Sequence, residues 1–250
     1  IYTLSLHDAL PIWSAILRNG REIVAGFLPE IRPMFDCAQN NDYHIDTVWE
    51  HTLHAVDAIP AEILLRLTAF FHDIGKPSCR TTTASGWDHF YHHESVGAQM
   101  TEHVLSRLHC DRFTRETVTE LIRRHGIVFQ PDGRQPHRLL VRMGETKLRM
   151  LIEMERADVK SQAPFCIAER LERIHRFSLA LDHLLKEEHC FSVKDLQVNG
   201  NDVIQAGIPR GPQVGHVLSL LLEEVIDGIT ANDRSVLLRR IREMSHSDSM

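Results

Sequence analysis

One stretch constrains this chain more than any other: Phe70-Phe71-His72-Asp73-Ile74-Gly75-Lys76-Pro77, in which an imidazole and a carboxylate stand side by side at the end of an apolar run. Residues 61–71 are rich in Leu, Ile, Ala and Phe and read as a mostly buried helix. His72 and Asp73 are therefore expected at depth, where unpaired polar groups are costly, and they need a partner. A divalent cation would serve both. Gly75 is expected to permit a backbone turn that a side chain would forbid, and Lys76 to place an ammonium over whatever the cation binds. The same string also fits a plain buried His-Asp hydrogen bond closed by a Gly-Lys-Pro cap.

The rest of the chain offers further polar residues on core-facing stripes. His51 precedes the dyad, and His93, His125 and Asp158 follow it, each in a helix-like segment. Val118, Leu121 and Ile122 share a helix face, and His125 falls three and four residues after the last two. Leu148, Leu151, Ile152 and Glu155 lead to Asp158 by steps of three and four. Both side chains are thus expected to look inward.

His51, the His72-Asp73 dyad and a distant Asp158 resemble the signature of the HD superfamily of metal-dependent phosphohydrolases. Tyr43-His44-Ile45-Asp46, His93-Glu94 with Gly97, Arg124-His125 and Arg156-Ala157-Asp158 narrow the resemblance to the HD region of bacterial CCA-adding tRNA nucleotidyltransferases, over roughly residues 20–245. That resemblance implies a metal-binding set of His51, His72, Asp73, His93, His125 and Asp158, with His72, Asp73 and Lys76 as catalytic residues. Imidazole and carboxylate without thiolate suit Mg, Mn, Ni, Co, Fe or Zn. One or two ions per chain are expected, the first on His51, His72, Asp73 and Asp158, the second on His93 and His125 with Asp73 bridging. A water between two such charges can attack phosphorus near neutral pH, while Lys76 neutralises a non-bridging oxygen.

Read along its length, the chain begins with Thr3-Leu4-Ser5-Leu6-His7-Asp8-Ala9-Leu10-Pro11-Ile12, which resembles the conceptual translation of a common sequencing adapter. Residues 1–12 are set aside on that ground, with His7-Asp8 as a decoy dyad, and the natural reading frame is expected to begin upstream of Trp13. Residues 13–35 then read as the remnant of a helical neck, 36–165 as the HD domain, 166–190 as a connecting helix and 191–250 as a C-terminal helical tail. Within the HD domain, Asp46 is expected to cap the helix that carries His51, and 78–88 to form a flexible polar loop. In the tail, Pro212 opens an apolar helix that Gly228 ends. No strand-like alternation is sustained anywhere, so the fold class is all-α: an HD-type helical bundle followed by a smaller helical domain.

Composition excludes several classes. A formal net charge of −6 rules out a general polyanion binder while leaving local basic faces open. No apolar run reaches the length of a membrane span. Five scattered cysteines without a Cys-x-x-Cys pair read as reduced thiols, which points to the cytoplasm. The remaining histidines read as surface or satisfied core residues, with His92 able to exchange roles with His93. Two functions stay open. In one, the chain hydrolyses 2′,3′-cyclic phosphates, 2′-nucleotides or other phosphoesters near an RNA 3′ end. In the other, it is a catalytically idle helical body that holds tRNA. The resemblance implies tRNA or other RNA 3′ ends as partners and no membrane. Neither a Gly-Ser segment followed by an Asp-x-Asp pair nor any equivalent occurs, so nucleotide addition is expected only from a full-length protein.

Overall fold

The apolar stripes become helices. In the computed structural model, which describes residues 12–131, 134–186 and 192–247, α1 (Ile12–Asn19), α2 (Arg21–Phe27) and a 3-10 turn over Pro29–Met34 lead into α3 (Val48–Ala58) and α4 (Ile63–Phe71). The short α5 (Lys76–Cys79) precedes a two-stranded pair, β1 (Thr81–Thr82) and β2 (Asp88–His89). Then come α6 (His93–Arg107), α7 (Arg112–Arg124), α8 (Gln135–Lys160), α9 (Pro164–Lys186), α10 (Gly200–Gln205), α11 (Pro212–Ile226) and α12 (Arg234–Ser247). The all-α expectation holds. The adapter-like segment lies, but for its last residue, outside the described residues. No helix among the described residues is long and apolar enough to cross a membrane.

Local chemistry sets the element boundaries, and three expectations need correction. Thr47, not Asp46, caps α3: the Thr47 side chain accepts from the Glu50 amide at 3.3 Å, whereas the Asp46 carboxylate lies 3.2 Å from His54 Nδ1. Residues 78–88 are no loose loop. Thr81 and Thr82 pair antiparallel with His89 and Asp88, and Asp88 ties the turn to the rest of the chain. Its carboxylate accepts from the Asn40 amide at 3.0 Å and the Thr82 hydroxyl at 2.5 Å, and pairs with Arg80 at 2.8 Å. Gly75 has an ordinary helical backbone, φ −78°, so no special turn demands glycine there. Space demands it. A Cβ at position 75 would stand 2.3 Å from the His93 carbonyl oxygen and 2.7 Å from the Gly97 nitrogen, so glycine lets α5 press against the start of α6.

The described chain divides into two units, each built from two stretches. The first comprises residues up to Phe129 with Thr146–His175, the second Gln130–Glu145 with residues from Arg176 onward. The length of α8 hides a break at Gly144, where φ is 74° and ψ 161°, so that two helical segments meet there at a kink. In the first unit Trp49, Phe71, Ile74, Val104 and Ile122 centre the core, with Phe35 edge-on to Trp49 at 4.9 Å. Ala55 and Val56 of α3, Leu65 and Ala69 of α4 and Met154 and Ala157 of α8 form a second buried cluster there. This brings α8 against the helices that bear His51 and His72. In the second unit, Leu221, Leu237, Ile241 and Val203 form a separate core, closed by Val141. Asp202 and Asn199 make a capping box at α10, and Arg234 pairs with Asp202 at 2.6 Å. As expected, Pro212 occupies the first turn of α11 and Gly228, with φ 58°, follows its end.

Candidate metal centre

Helix ends deliver most of the cluster. His72 follows the last residue of α4, His93 is the first residue of α6 and His125 follows the last residue of α7, while His51 lies inside α3 and Asp158 in the last turn of α8. His51, His72, Asp73, His125 and Asp158 are buried, and His93 nearly so. Three of the imidazoles are fixed by one local device. His72 Nδ1 lies 2.8 Å from the Ala69 carbonyl, His93 Nδ1 2.7 Å from that of Phe90 and His125 Nδ1 2.5 Å from that of Ile122, each three residues upstream. A carbonyl only accepts, so each Nδ1 carries a proton, and whatever charge the ring holds beyond that sits on Nε2, the atom turned into the cluster. His51 Nδ1 makes the equivalent contact with the Ser161 carbonyl at 3.2 Å.

The four Nε2 atoms turn toward one another and toward carboxylates. His51, His72 and Asp158 form one group and Asp73, His93 and His125 another, with the chosen ligand atoms of each group within 4.8 Å. His51 Nε2 is 2.9 Å from Asp158 Oδ1 and 3.3 Å from His72 Nε2. His93 Nε2 is 3.2 Å from His125 Nε2. Asp73 joins the groups: its Oδ2 lies 3.4 Å from His51 and 3.2 Å from His72, its Oδ1 3.4 Å from His93 and 3.6 Å from His125. Two imidazoles meeting Nε2 to Nε2, both already donating from Nδ1, would have no proton to share if both rings were neutral. Such a set of acceptors is stable only around positive charge, whether protons or a cation. All six residues named from the sequence therefore converge, and their donor set fits a divalent ion of borderline or hard character.

The protein's own charges show how strongly the site draws cations. Burial pushes the His72 imidazole down, but Asp73 and Asp158 outweigh it and raise it to about 10. Burial likewise opposes ionisation of Asp73, yet His72 and Lys76 hold its carboxyl well below the usual range. Asp158 is held down by His51 and His72 against the same burial. His125 is lowered by burial, with Asp73 opposing. Burial, then Lys76, lowers His44 to about 3, so it is neutral beside His51.

The surroundings of the cluster hold what the sequence does not announce. Lys76 is buried rather than free over the site: its ammonium pairs with Asp73 Oδ2 at 2.7 Å and donates to Gln39 Oε1 at 2.7 Å. Gln162 donates to Asp158 Oδ2 at 2.9 Å and in turn accepts from Arg170, which fixes the orientation of its amide. Ser161 Oγ donates to the Asp158 carbonyl at 2.6 Å and lies 3.1 Å from His51 Nδ1. Ser161 and Gln162 fall three and four residues after Asp158, and that spacing is the one signal the sequence offers for them. Glu155, on the Asp158 stripe, accepts from the Gly126 amide at 2.6 Å, and burial followed by Asp158 raises its carboxyl well above the usual range. His92 is exposed and left-handed at φ 64°, and it does not exchange with His93, which is the one in the cluster.

Comparison with known proteins places this geometry in context. Residues 81–241 match the family model described as tRNA nucleotidyltransferase domain 2, putative. An A-adding tRNA nucleotidyltransferase of Deinococcus radiodurans is 30% identical over 205 residues, 78% of this chain and 46% of that protein. A CC-adding tRNA nucleotidyltransferase of Thermus thermophilus is 30% identical over 209 residues, 81% of this chain and 46% of that protein. A multifunctional CCA protein of Ralstonia nicotianae is 32% identical over 124 residues, 48% of this chain and 28% of that protein. The chain thus spans about half the length of the first two relatives, or less.

Proposed function

Since this chain belongs to the tRNA nucleotidyltransferase family, we propose that its first unit is an HD-type metal-dependent phosphohydrolase serving tRNA 3′-end processing in the cytoplasm. The observation that carries this reading is the double allegiance of Asp73, one oxygen facing each imidazole group. His51, His72, Asp73 and Asp158 would hold one divalent ion, and His93 and His125, with Asp73 shared, a second. When bound, such ions acidify water and steady charge developing on phosphorus. The chain's own residues do the rest: the four Nδ1 contacts orient the rings with Nε2 toward the cluster, Gln162 and Ser161 orient Asp158 and His51, and Lys76 holds Asp73 in place through its ammonium. The substrates would be 2′,3′-cyclic phosphates, 2′-nucleotides or other phosphoesters at RNA 3′ ends, with residues 191–250 as a tRNA-holding tail. Residues 1–12 would be adapter-derived, 13–35 a neck and 166–190 the connection to that tail.

A second reading, an idle tRNA-holding body, draws on Lys76. Its ammonium already sits 2.7 Å from Asp73 Oδ2 and supplies charge that a metal would otherwise bring. Hydrolysis of 2′,3′-cyclic AMP, with metal content measured on the same preparation, separates the two. The hydrolytic reading expects bound metal, with activity lost in Asp73→Ala at unchanged helicity and only weakened in His125→Ala. Equal rates in wild type and Asp73→Ala, or less than about a tenth of an equivalent of metal with no thermal stabilisation by Mn²⁺, Ni²⁺ or Mg²⁺, would leave the idle body.

A further inference from the structure

The cavity above the cluster holds much more than a phosphate. It is an open cleft of about 970 Å³, near the upper end for small-molecule sites, with Asp73, His93, His125 and Asp158 among its lining residues. Phosphoester chemistry at that floor makes no use of the rings in its walls. Tyr43 and Phe165 pair there with centroids 6.1 Å apart and planes at 32°, although Phe165 is 69% exposed and has no polar atom to draw it toward water. His89 and Tyr91 stack at 5.1 Å and 13°, with Tyr91 67% exposed. The two pairs arise from different elements: the segment before α3 and the start of α9 for the first, β2 and the turn into α6 for the second. The backbone under one ring of each pair is anchored, at Tyr43 by its carbonyl, which accepts from the Ala163 amide at 2.9 Å, and at His89 by the strand pairing with Thr81. Ring pairs beside the floor read above as a phosphoester centre suit bases that flank a phosphate, since every nucleobase has a face to stack. Arg170, which donates to Gln162, and Arg173, which pairs with Glu169 at 2.6 Å, line the same cavity.

We propose that Tyr43–Phe165 and His89–Tyr91 are two base-stacking platforms, so that the site takes a phosphodiester flanked by nucleosides on both sides, a two-nucleotide segment of single-stranded RNA. The inference rests on the floor being a phosphoester centre, as read above, and adds that one nucleotide leaves a platform unused.

Calorimetric titration of the full chain with ApA, adenosine 2′-monophosphate and dimethyl phosphate tests it. ApA is expected to bind more tightly than the mononucleotide. Phe165→Ala and Tyr91→Ala should each weaken ApA binding by about tenfold or more, while Tyr91→Phe, which keeps the ring, restores it. Dimethyl phosphate binding and the metal content should be unaffected by all three. Unchanged ApA affinity in both alanine variants, absence of ApA binding to wild type, or equal weakening for dimethyl phosphate would overturn the proposal. Ring-dependent ApA binding without any metal-dependent hydrolysis would retire the hydrolytic reading alone and leave the platforms standing.

Discussion

Asp88 carries a pH dependence that can be isolated from the metal cluster. Hydrogen bonding from Arg80 is the largest effect on its carboxyl, burial opposes it, and the Thr82 and Asn40 donors add to it, leaving the group at about 2. A depressed carboxyl contributes stability that is complete above the unfolded value near 3.8 and is lost as pH falls through the folded value near 2. Asp88→Asn should therefore be less stable than wild type by about 1 kcal/mol at pH 6, a figure discounted because Arg80 is partly exposed. That gap should close steadily between pH 4 and pH 2, as read from urea midpoints; a gap independent of pH would mean the ion pair with Arg80 contributes nothing. In the sequence Asp88 is only the end of a polar stretch, because a carboxylate among polar neighbours does not announce that it is buried. The six cluster residues are legible for the opposite reason. Imidazoles and carboxylates on apolar stripes are chemically out of place, and their spacing along helices shows that they face the same interior. Ser161, Gln162 and Arg170 are ordinary polar residues whose role comes from standing where α8 turns into α9, and nothing in their type marks them.

Between elements, the approach of α5 to α6 fixes where His93 stands relative to Asp73, and it depends on one hydrogen atom. Alanine at 75 would put a methyl group 2.3 Å from the His93 carbonyl oxygen, against backbone that has nowhere to retreat. Gly97 faces the same seam from α6, but its added Cβ would meet Gly75 nitrogen at 3.4 Å and His72 oxygen at 3.5 Å, which is ordinary contact. Gly75→Ala should cost about 2–4 kcal/mol, in the range of core overpacking or beyond, and should lower metal content because His93 is displaced. Gly97→Ala should stay within about 1 kcal/mol of wild type, since relief of helical glycine's entropy cost offsets the closer fit. Thermal midpoints of the two variants decide this, and equal midpoints would show that the seam is soft. Helices are legible here as periodicity, and turns are not. Thr47 and Asp46 are both competent caps, so composition cannot choose between them. Strands of two residues are too short for any alternation to register, which is why the pair at Thr81–Thr82 and Asp88–His89 reads as loop from sequence alone.

Across the whole molecule, a linear reading places domain boundaries at single points, whereas contacts assign residues 130–145 to the unit that resumes at Arg176. Val141 packs in the core with Leu221 and Leu237, and Arg138 pairs with Asp227 at 2.6 Å, partners far enough apart in sequence that no local pattern links them. The break at Gly144 is equally hidden, because a single glycine in a helical stripe is as compatible with continuation as with a stop. This division gives a sharp expectation for metal linkage. All six candidate ligands belong to the first unit, so an ion that binds them stabilises that unit directly, by about 2.7 kcal/mol at a hundredfold excess over its dissociation constant. Amide exchange governed by opening of that unit should slow by up to about a hundredfold on adding the metal, most clearly in α3, α4, the start of α6, α7 and the end of α8, where the candidate ligands sit. Amides of α10, α11 and α12, whose core of Leu221, Leu237 and Ile241 contains none of the ligands, should exchange at their metal-free rates. Mass-spectrometric exchange with and without Mg²⁺ or Mn²⁺ measures both at once. Protection spread equally over the two units would mean that they open together, and protection absent from α3 and α7 would mean that the imidazoles are held by protons rather than by an ion.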